Sequence, residues 1–599
     1  MTSDPQPPAF PRVSGPSGDT GRPIEPSPGS IFSKPTPTEP VAQTAGPGTS
    51  ASATGGHRSR WLIALLATIA VVAVIGGVFL SLGPRAGSPS VAARFAPADT
   101  AMLIEAQLDL PGDQHDNLAE FMSHFPGFAD PAAFDQKLDE MLEEAVSSFG
   151  GGEISWETDV EPWFGGLVAI FGAGQQPSQD APQEFTVALS IKDRAALDQV
   201  LSTKLTNAQS EDYQGHQIWT FGDSGGPTAI VATDDVLLFG SSVDQVRAAL
   251  DAHDDRAPGL ADDEFYLQQL GHLSANRLGS FYYDGVSAGI PLPNQAMEGM
   301  PDIGALQPLI AASAARVVGE LRAEGDHLEI AARSERSSSA DLPPLPGNAT
   351  TNLAEKAPSD AVLYLEMRDV GTTIGFLLDT AMTPLASPGT DPNAMDPRLF
   401  EQLLGAPLDE YFDFIDDASL SFSGTSETPQ ISFVATVTDD VIANQRIDRL
   451  VSMARSLGPM AGDLSVMEEQ HGDTTIHVIN IGDGEPDESE SVSIAVSGGR
   501  LYLGTNGSVA AALDRTAADS LASTDDYRTA LAAGGASNSG IVFGDITALR
   551  SMAEASMSDA ERAEYVADAQ PFLEPLSHFM LVNQTDGSIV VSNGFLYVE

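Results

Sequence analysis

The 599-residue sequence contains no cysteine. That excludes disulfides, thiolate metal sites, iron–sulfur clusters and cysteine nucleophiles. Lysine is scarce as well: Lys34, Lys137, Lys192, Lys204 and Lys356 are the only five. Basic residues number 29 against 84 acidic ones, a formal net charge of −55. The imbalance is uneven, because the segment up to Arg60 sets Asp4, Asp19, Glu25 and Glu39 against Arg12, Arg22, Lys34, Arg58 and Arg60. The acidity therefore belongs to the rest of the chain. Such a surface repels phosphate backbones and anionic headgroups, which argues against a nucleic-acid partner. Abundant carboxylate with little lysine fits a surface solvated for high salt, and equally one built for plain solubility. An apolar fraction of 42% and a charged fraction of 19% describe a folded protein with some low-complexity sequence, and the length leaves room for several domains.

One long hydrophobic run is present, Trp61 to Leu82, with no charge inside it. At about 1.5 Å per residue it would span roughly 33 Å as a helix, against about 30 Å of bilayer hydrocarbon. It starts too deep in the chain for an ordinary cleaved signal peptide and reads as a signal-anchor. Arg58 and Arg60 just before it direct the N-terminal side to the cytoplasm and the bulk of the chain outside, with Arg85 a weaker opposing charge. Residues 1–60, rich in Pro, Gly and Ser, show no hydrophobic periodicity and are expected to form a disordered cytoplasmic tail. A short linker, 83–93, follows the apolar run.

Beyond the linker the sequence repeats itself. Ala96-Pro97-Ala98-Asp99 leads into Met102-Leu103-Ile104-Glu105, and Ala357-Pro358-Ser359-Asp360 leads into Leu363-Tyr364-Leu365-Glu366, at a numbering offset of 261 (358 − 97). Phe281-Tyr282-Tyr283-Asp284 and Val542-Phe543-Gly544-Asp545 lie at the same offset. Val236 to Gly240 followed by Val246 to Asp251 answers Arg500 to Gly504 followed by Val509 to Asp514. Each half closes on a hairpin-like segment, with Glu324-Gly325-Asp326 set against Thr585-Asp586-Gly587. Landmarks in one order at near-constant spacing indicate a duplication: repeat 1 over 94–340, a Pro-rich linker over 341–353, and repeat 2 over 354–599.

Within a repeat, Met102, Ile104 and Ala106 alternate with Leu103, Glu105 and Gln107, the period of a strand. A helical region follows (Asn117 to Phe149; Thr372 to Leu404), then strands near Leu167–Phe171 and Phe185–Ile191, then a helix from Asp193 to Leu205. Strands interrupted by helices, without regular βαβ alternation, predict an α+β fold of mostly antiparallel sheet.

The opening Ala-Arg-Phe-Ala-Pro-Ala-Asp before a strand, the block Val160-Glu161-Pro162-Trp163-Phe164-Gly165 and the block Phe239-Gly240-Ser241-Ser242 resemble the bacterial domain-of-unknown-function family 3352, from about residue 91 to the end and twice over. The second copy departs from the pattern, with Glu410-Tyr411-Phe412-Asp413 where Pro-Trp-X-Gly would stand. The resemblance implies a membrane-anchored, extracytoplasmic bacterial protein and assigns no chemistry.

Candidate chemistry is sparse. Gly222-Asp223-Ser224-Gly225-Gly226-Pro227 resembles the nucleophile region of trypsin-like peptidases, where backbone amides beside the Ser form an oxyanion hole. His115 and His124 precede it without the Ala-Ala-His-Cys context. The second repeat carries Gly482-Asp483-Gly484-Glu485-Pro486 in the corresponding place, a turn with no serine, and the segment reads as a turn. His471, His477 and His216 make no recognised metal spacing. Asp254-Asp255, Asp262-Asp263, Asp416-Asp417 and Asp487-Glu488 read as solvated acidic surface with at most weak calcium affinity. Glu105 and Glu366, duplicated on a strand, could line a cleft as acid or base, or equally be half-exposed strand residues paired with an arginine, and Asp284 and Asp545 read as turn formers at strand ends. No phosphate-cradling glycine loop, Walker-type lysine or dinucleotide fingerprint occurs. No catalytic, cofactor or metal residue is assigned.

The sequence thus predicts a single-pass membrane protein of the α+β class. A single transmembrane helix is followed by two homologous modules of mostly antiparallel sheet with interspersed helices. The expected function is a non-catalytic envelope module that binds a protein, polymer or wall component. A carrier or sensor of an apolar, lipid-like ligand in a curved sheet is the alternative, and an unrecognised hydrolase a remote third.

Overall fold

The computed structural model of the chain describes residues 88–149, 154–173, 185–205, 208–220, 229–285, 316–336, 343–382, 404–425, 428–461, 464–481, 490–505 and 507–599. The tail, the apolar run 61–82 and both turn segments, Gly222 to Pro227 and Gly482 to Pro486, lie outside the described residues. Among the described residues no helix is long and apolar enough to cross a membrane.

The described residues form an α+β structure organised on a 20-stranded sheet. Its first ten strands are β1 (Thr100–Gln107), β2 (Phe164–Ala173), β3 (Thr186–Ile191), β4 (Gln209–Tyr213), β5 (His216–Thr220), β6 (Ala229–Ala232), β7 (Val236–Gly240), β8 (Gly279–Asp284), β9 (Arg316–Ala323) and β10 (His327–Glu335). Antiparallel pairings set them side by side in the order β4-β5-β6-β7-β3-β2-β1-β8-β9-β10. The second ten are β11 (Leu363–Met367), β12 (Ile415–Gly424), β13 (Pro429–Val437), β14 (Leu464–His471), β15 (Thr474–Ile481), β16 (Glu490–Ser497), β17 (Arg500–Thr505), β18 (Gly540–Asp545), β19 (Leu576–Asp586) and β20 (Ile589–Val598). They run β14-β15-β16-β17-β13-β12-β11-β18-β19-β20, the same order with each strand replaced by its counterpart.

The two series join where β10 pairs with β20, from His327↔Tyr597 to Glu335↔Ile589, centred on Ala331↔Asn593. The closing hairpins turn on the positive-φ glycines Gly325 and Gly587. Their numbers differ by one more than those of the earlier landmarks. The ladders show where the extra residue enters: Asp284 faces Arg316 across β8–β9, while its counterpart Asp545 faces His578 across β18–β19, one position further along the chain.

The strands form because β-branched, aromatic and leucine side chains alternate with smaller or polar ones along them, the pattern of a pleated sheet with each face packed differently. The helical region after β1 divides into α1 (Gln114–Ser123) and α2 (Phe134–Phe149), and the helix expected at Asp193 to Leu205 is present as α3 (Arg194–Lys204). One sheet face carries Leu103, Phe171, Ala188, Val231 and Leu238 under helices α4 (Val243–His253) and α5 (Glu264–Leu270), which contribute Val246, Leu250 and Tyr266. In the second half the described helices are α6 (Val370–Met382), α7 (Leu408–Tyr411), α8 (Asp440–Ala461), α9 (Ser508–Asp514), α10 (Asp525–Gly534), α11 (Ile546–Ser556), α12 (Asp559–Asp568) and α13 (Gln570–Leu573). The helical region expected over Thr372 to Leu404 thus opens with α6, and its middle lies outside the described residues. Tyr364, Phe543, Met580 and Phe595 pack under α10 through Tyr527 and Ala530.

Helices start at identifiable caps. Asp193 accepts from the Ala195 and Ala196 amides, both at 3.0 Å, ahead of α3, and Asp545 accepts from the Ala548 amide at 2.8 Å ahead of α11. Helix α1 and the turn that follows it reach across to the second half, where Phe121 and Phe125 join Phe579, Leu596 and Val598 in one apolar cluster.

Candidate functional site

Glu105 on β1 and Glu366 on β11 occupy corresponding places, each only 2% exposed. Both are enclosed in the core, so the expectation that they line a cleft as acid or base is corrected: they brace the fold. Glu105 accepts from the Ser90 hydroxyl and from Ser280 Oγ at 2.9 Å. Burial pushes its carboxyl pKa up, opposed by those two hydrogen bonds and by the positive charge of Arg277. Glu366 accepts from the Thr351 and Tyr364 hydroxyls and from Arg368 Nη1 at 2.6 Å. Ser90 and Thr351 correspond at the same offset and belong to the segments that enter each half, so each carboxylate pins an incoming chain to its first strand. Glu366 thus has the arginine partner of the alternative sequence reading, but it is buried where that reading made it half-exposed.

Asp545 caps α11, as a turn former would, and Asp284 ends β8. Asp254 accepts from His216 Nε2 at 3.0 Å, His253 Nδ1 at 2.8 Å and Arg256 Nη1 at 2.6 Å. It is thus a structural knot and departs from the solvated-surface expectation. Burial works to raise its pKa, and the three hydrogen bonds outweigh that and hold it at about 2. His471 meets Asp514 at 2.8 Å, tying the β14–β15 turn to the end of α9. Among the described residues no three His, Asp or Glu side chains are grouped to hold a metal ion.

Among the described residues, one arrangement with room for a ligand is a cleft of about 660 Å³ where the two halves of the sheet meet. Its walls are α5 with its N-cap Asp263, the outer ends of β9 and β10, and the β19–β20 turn from Asp586 to Ile589. Arg316 Nη1 donates to Asp263 Oδ2 at 3.1 Å and its Nε to Glu335 Oε2 at 3.2 Å, and its guanidinium lies 4.6 Å from the Phe265 ring centre. Arg333 donates from Nε to Gln269 Oε1 at 2.8 Å and from Nη2 to Asp586 Oδ2 at 3.1 Å. The cleft thus displays two guanidiniums among Asp263, Glu264, Glu335 and Asp586, a charge-alternating wall suited to a polar ligand with groups of both signs. Apart from Asp263, which the sequence marks only as acidic surface, and Asp586, which it marks only as a turn residue, none of these side chains is singled out by the sequence. The available signal was a mismatch between repeats, because Asp284 faces Arg316 where Asp545 faces His578.

Fold and cleft together define an α+β protein built on an antiparallel sheet of internally repeated order. The chain belongs to the family described as protein of unknown function (DUF3352), whose model matches residues 61–586. No curated protein matches it in sequence. Among solved structures it is similar to TP0453 in crystal form I, at 8% identity, covering 43% of this chain and 82% of that one with a TM-score of 0.24. It is also similar to TP0453 in crystal form III, at 10% identity, covering 44% and 90% with a TM-score of 0.22. Likenesses at that level carry no argument about function.

Proposed function

We propose that this protein is a membrane-tethered, extracytoplasmic module of the cell envelope that binds a partner without catalysing a reaction. In this reading the Trp61 to Leu82 segment is a signal-anchor, residues 1–60 face the cytoplasm, and the remainder is two tandem copies of one α+β unit. The observation that carries it is the polar cleft between the halves, whose arginines and carboxylates are held in pairs, the chemistry of a recognition surface. The repeated strand order supports the tandem copies, and the Arg58/Arg60 flank supports the orientation. The partner is an envelope protein, polymer or wall component, and the acidic surface disfavours nucleic acid.

A second reading, a carrier of an apolar ligand, draws on the opposite sheet face. There Ile104, Ile170, Val187 and Phe239 pair in a row across β1, β2, β3 and β7, matched by Leu365, Leu420, Phe433 and Leu503 in the second half. Ile170 and Leu503 are each 37% exposed. Native mass spectrometry of the full chain, purified from membranes and stripped of loosely held lipid, separates the two readings. The binding-module reading expects no apolar molecule at defined stoichiometry, and one retained per half would replace it with the carrier. Protease treatment of intact cells tests the topology: digestion of the region after residue 90 is expected, and its protection would overturn the orientation.

A further inference from the structure

The cleft occupies a place that the fold fills in its other half. Asp284↔Arg316 corresponds to Asp545↔His578, and Arg316↔Glu335 corresponds to His578 and Tyr597, which stack where the β19–β20 ladder is irregular. Arg333 corresponds in the same way to Phe595. In the second half this position is a stack: His578 lies 4.3 Å from Tyr597 at 13°, Tyr597 lies 4.7 Å from His327, and His327 lies 5.8 Å from Phe595. His578, Phe595 and Tyr597 are at most 7% exposed. In the first half the same positions carry charged side chains, Arg316 at 30%, Glu335 at 34% and Arg333 at 15% exposed, around a space of about 660 Å³. The fold closes this slot with aromatic rings in one half, so its opening in the first half is a property of the residues placed there.

Those residues also limit what fits. Four carboxylates face two guanidiniums, so a purely anionic ligand meets net repulsion, while a simple cation leaves the arginines without a new partner. Among the described residues Arg333 uses two of its five N–H donors, the Nε and one on Nη2. A ligand carboxylate therefore has donors to take up, and a ligand ammonium has Glu335, Glu264 or Asp586 within the same wall. The volume falls within the roughly 300–1,000 Å³ of small-ligand sites. We infer that the cleft bounded by Arg316, Arg333, Glu335 and Asp586 is a binding site for a short zwitterionic peptide, its carboxylate on Arg333 and its ammonium among the facing carboxylates. The assignment rests on the binding-module reading and gives it a ligand class.

The test is calorimetric titration of the full-length protein with tri-alanine, with N-acetyl-tri-alanine amide, with spermidine and with inorganic phosphate. Tri-alanine is expected to bind with a Kd in or below the millimolar range, and the blocked form at least about tenfold more weakly, because it offers no carboxylate to the open donors of Arg333 and no ammonium to the wall carboxylates. The double substitution Arg333→Phe with Glu335→Tyr installs the residue types found at the matching positions, Phe595 and Tyr597. It is expected to abolish tri-alanine binding while the melting temperature is kept or raised, and Arg333→Gln alone to weaken binding about tenfold or more. Silence of tri-alanine up to about 10 mM, equal binding of the blocked form, tighter binding of spermidine or phosphate alone, or undiminished binding by the filled variant would each overturn the proposal. Capture of a different envelope partner by the same protein while tri-alanine stays silent would sink this ligand assignment and leave the binding-module reading standing.

Discussion

Arg368 lies two residues beyond Glu366, just past the end of β11, and bonds its carboxylate at 2.6 Å, with the two side chains 3% and 2% exposed. Arg368 Nη2 also donates to Asn538 Oδ1 at 2.6 Å. In the first half the residue matching Arg368 is Gln107, and the one matching Asn538 is Arg277. The arginine has thus changed places between the halves while the buried carboxylate has kept a positive neighbour.

A buried ion pair is costly to break from one side, because the survivor keeps its charge without compensation. Arg368→Met is expected to destabilise the protein by about 3–5 kcal/mol, read as a lowered denaturation midpoint. Converting both members, Arg368→Met with Glu366→Leu, should cost less than the single change. A double variant worse than the single one would show that the pair is not what holds this region.

The relocated arginine makes a sharper prediction. Arg277→Asn should destabilise the first half, and adding Gln107→Arg should recover part of the loss by rebuilding the second-half arrangement around Glu105. Recovery is expected to be incomplete, because Arg277 also lies in the field of Glu320, a buried carboxylate whose pKa burial pushes up. Thermal melts of the two variants check this, and no recovery at all would break the correspondence.

Glu105 carries a pH dependence of definite sign. Its carboxyl pKa is raised by burial above the ordinary value of 4.5. The folded state therefore loses stability as pH rises from the unfolded pKa to the folded one, and the loss is constant above that. Glu105→Gln keeps the shape and cannot ionise. Its melting temperature relative to the parent should be better at neutral pH than at a pH below the ordinary 4.5, and a gap that does not change with pH would remove the titration account.

Asp254 has the opposite sign. Its pKa is held at about 2, below the ordinary 3.8, so its contribution is complete above about pH 4 and is lost as pH falls toward 2. The bond from His216 reaches it from β5, so the β4–β5 hairpin is the element that should respond. Hydrogen exchange in 209–220 is expected to be faster in Asp254→Asn than in the parent at pH 6, with the two converging near pH 2. Equal exchange at pH 6 would mean that the knot does not hold the hairpin.

What the sequence made readable was what repetition and periodicity encode. The constant offset between the halves pairs Glu105 with Glu366 and Asp284 with Asp545, and the alternation in Met102 to Gln107 gives the strand faces as they stand. The joining of β10 to β20 was illegible, because pairing between distant strands leaves no local mark. The cleft was illegible for a related reason. Arg316 and Arg333 look like ordinary strand charges until their neighbours across the sheet are known, and the turn at Asp586 that completes the wall lies in the other half of the chain.

The net charge of −55 sets a last expectation. Like charges on a compact surface repel, and salt shortens that repulsion, the screening length falling from about 10 Å at 0.1 M to about 3 Å at 1 M. The melting temperature should therefore rise with sodium chloride over this range. Buried pairs are screened much less than exposed ones, so the cost of Arg368→Met should be nearly independent of salt while the parent gains stability. Thermal melts of both proteins across the salt series separate the two contributions. A parent whose melting temperature falls with salt would mean that attractive surface pairs such as Arg247 with Glu211 and Arg256 with Asp251 outweigh the repulsion, and the acidic surface would then need another explanation than tolerance of high ionic strength.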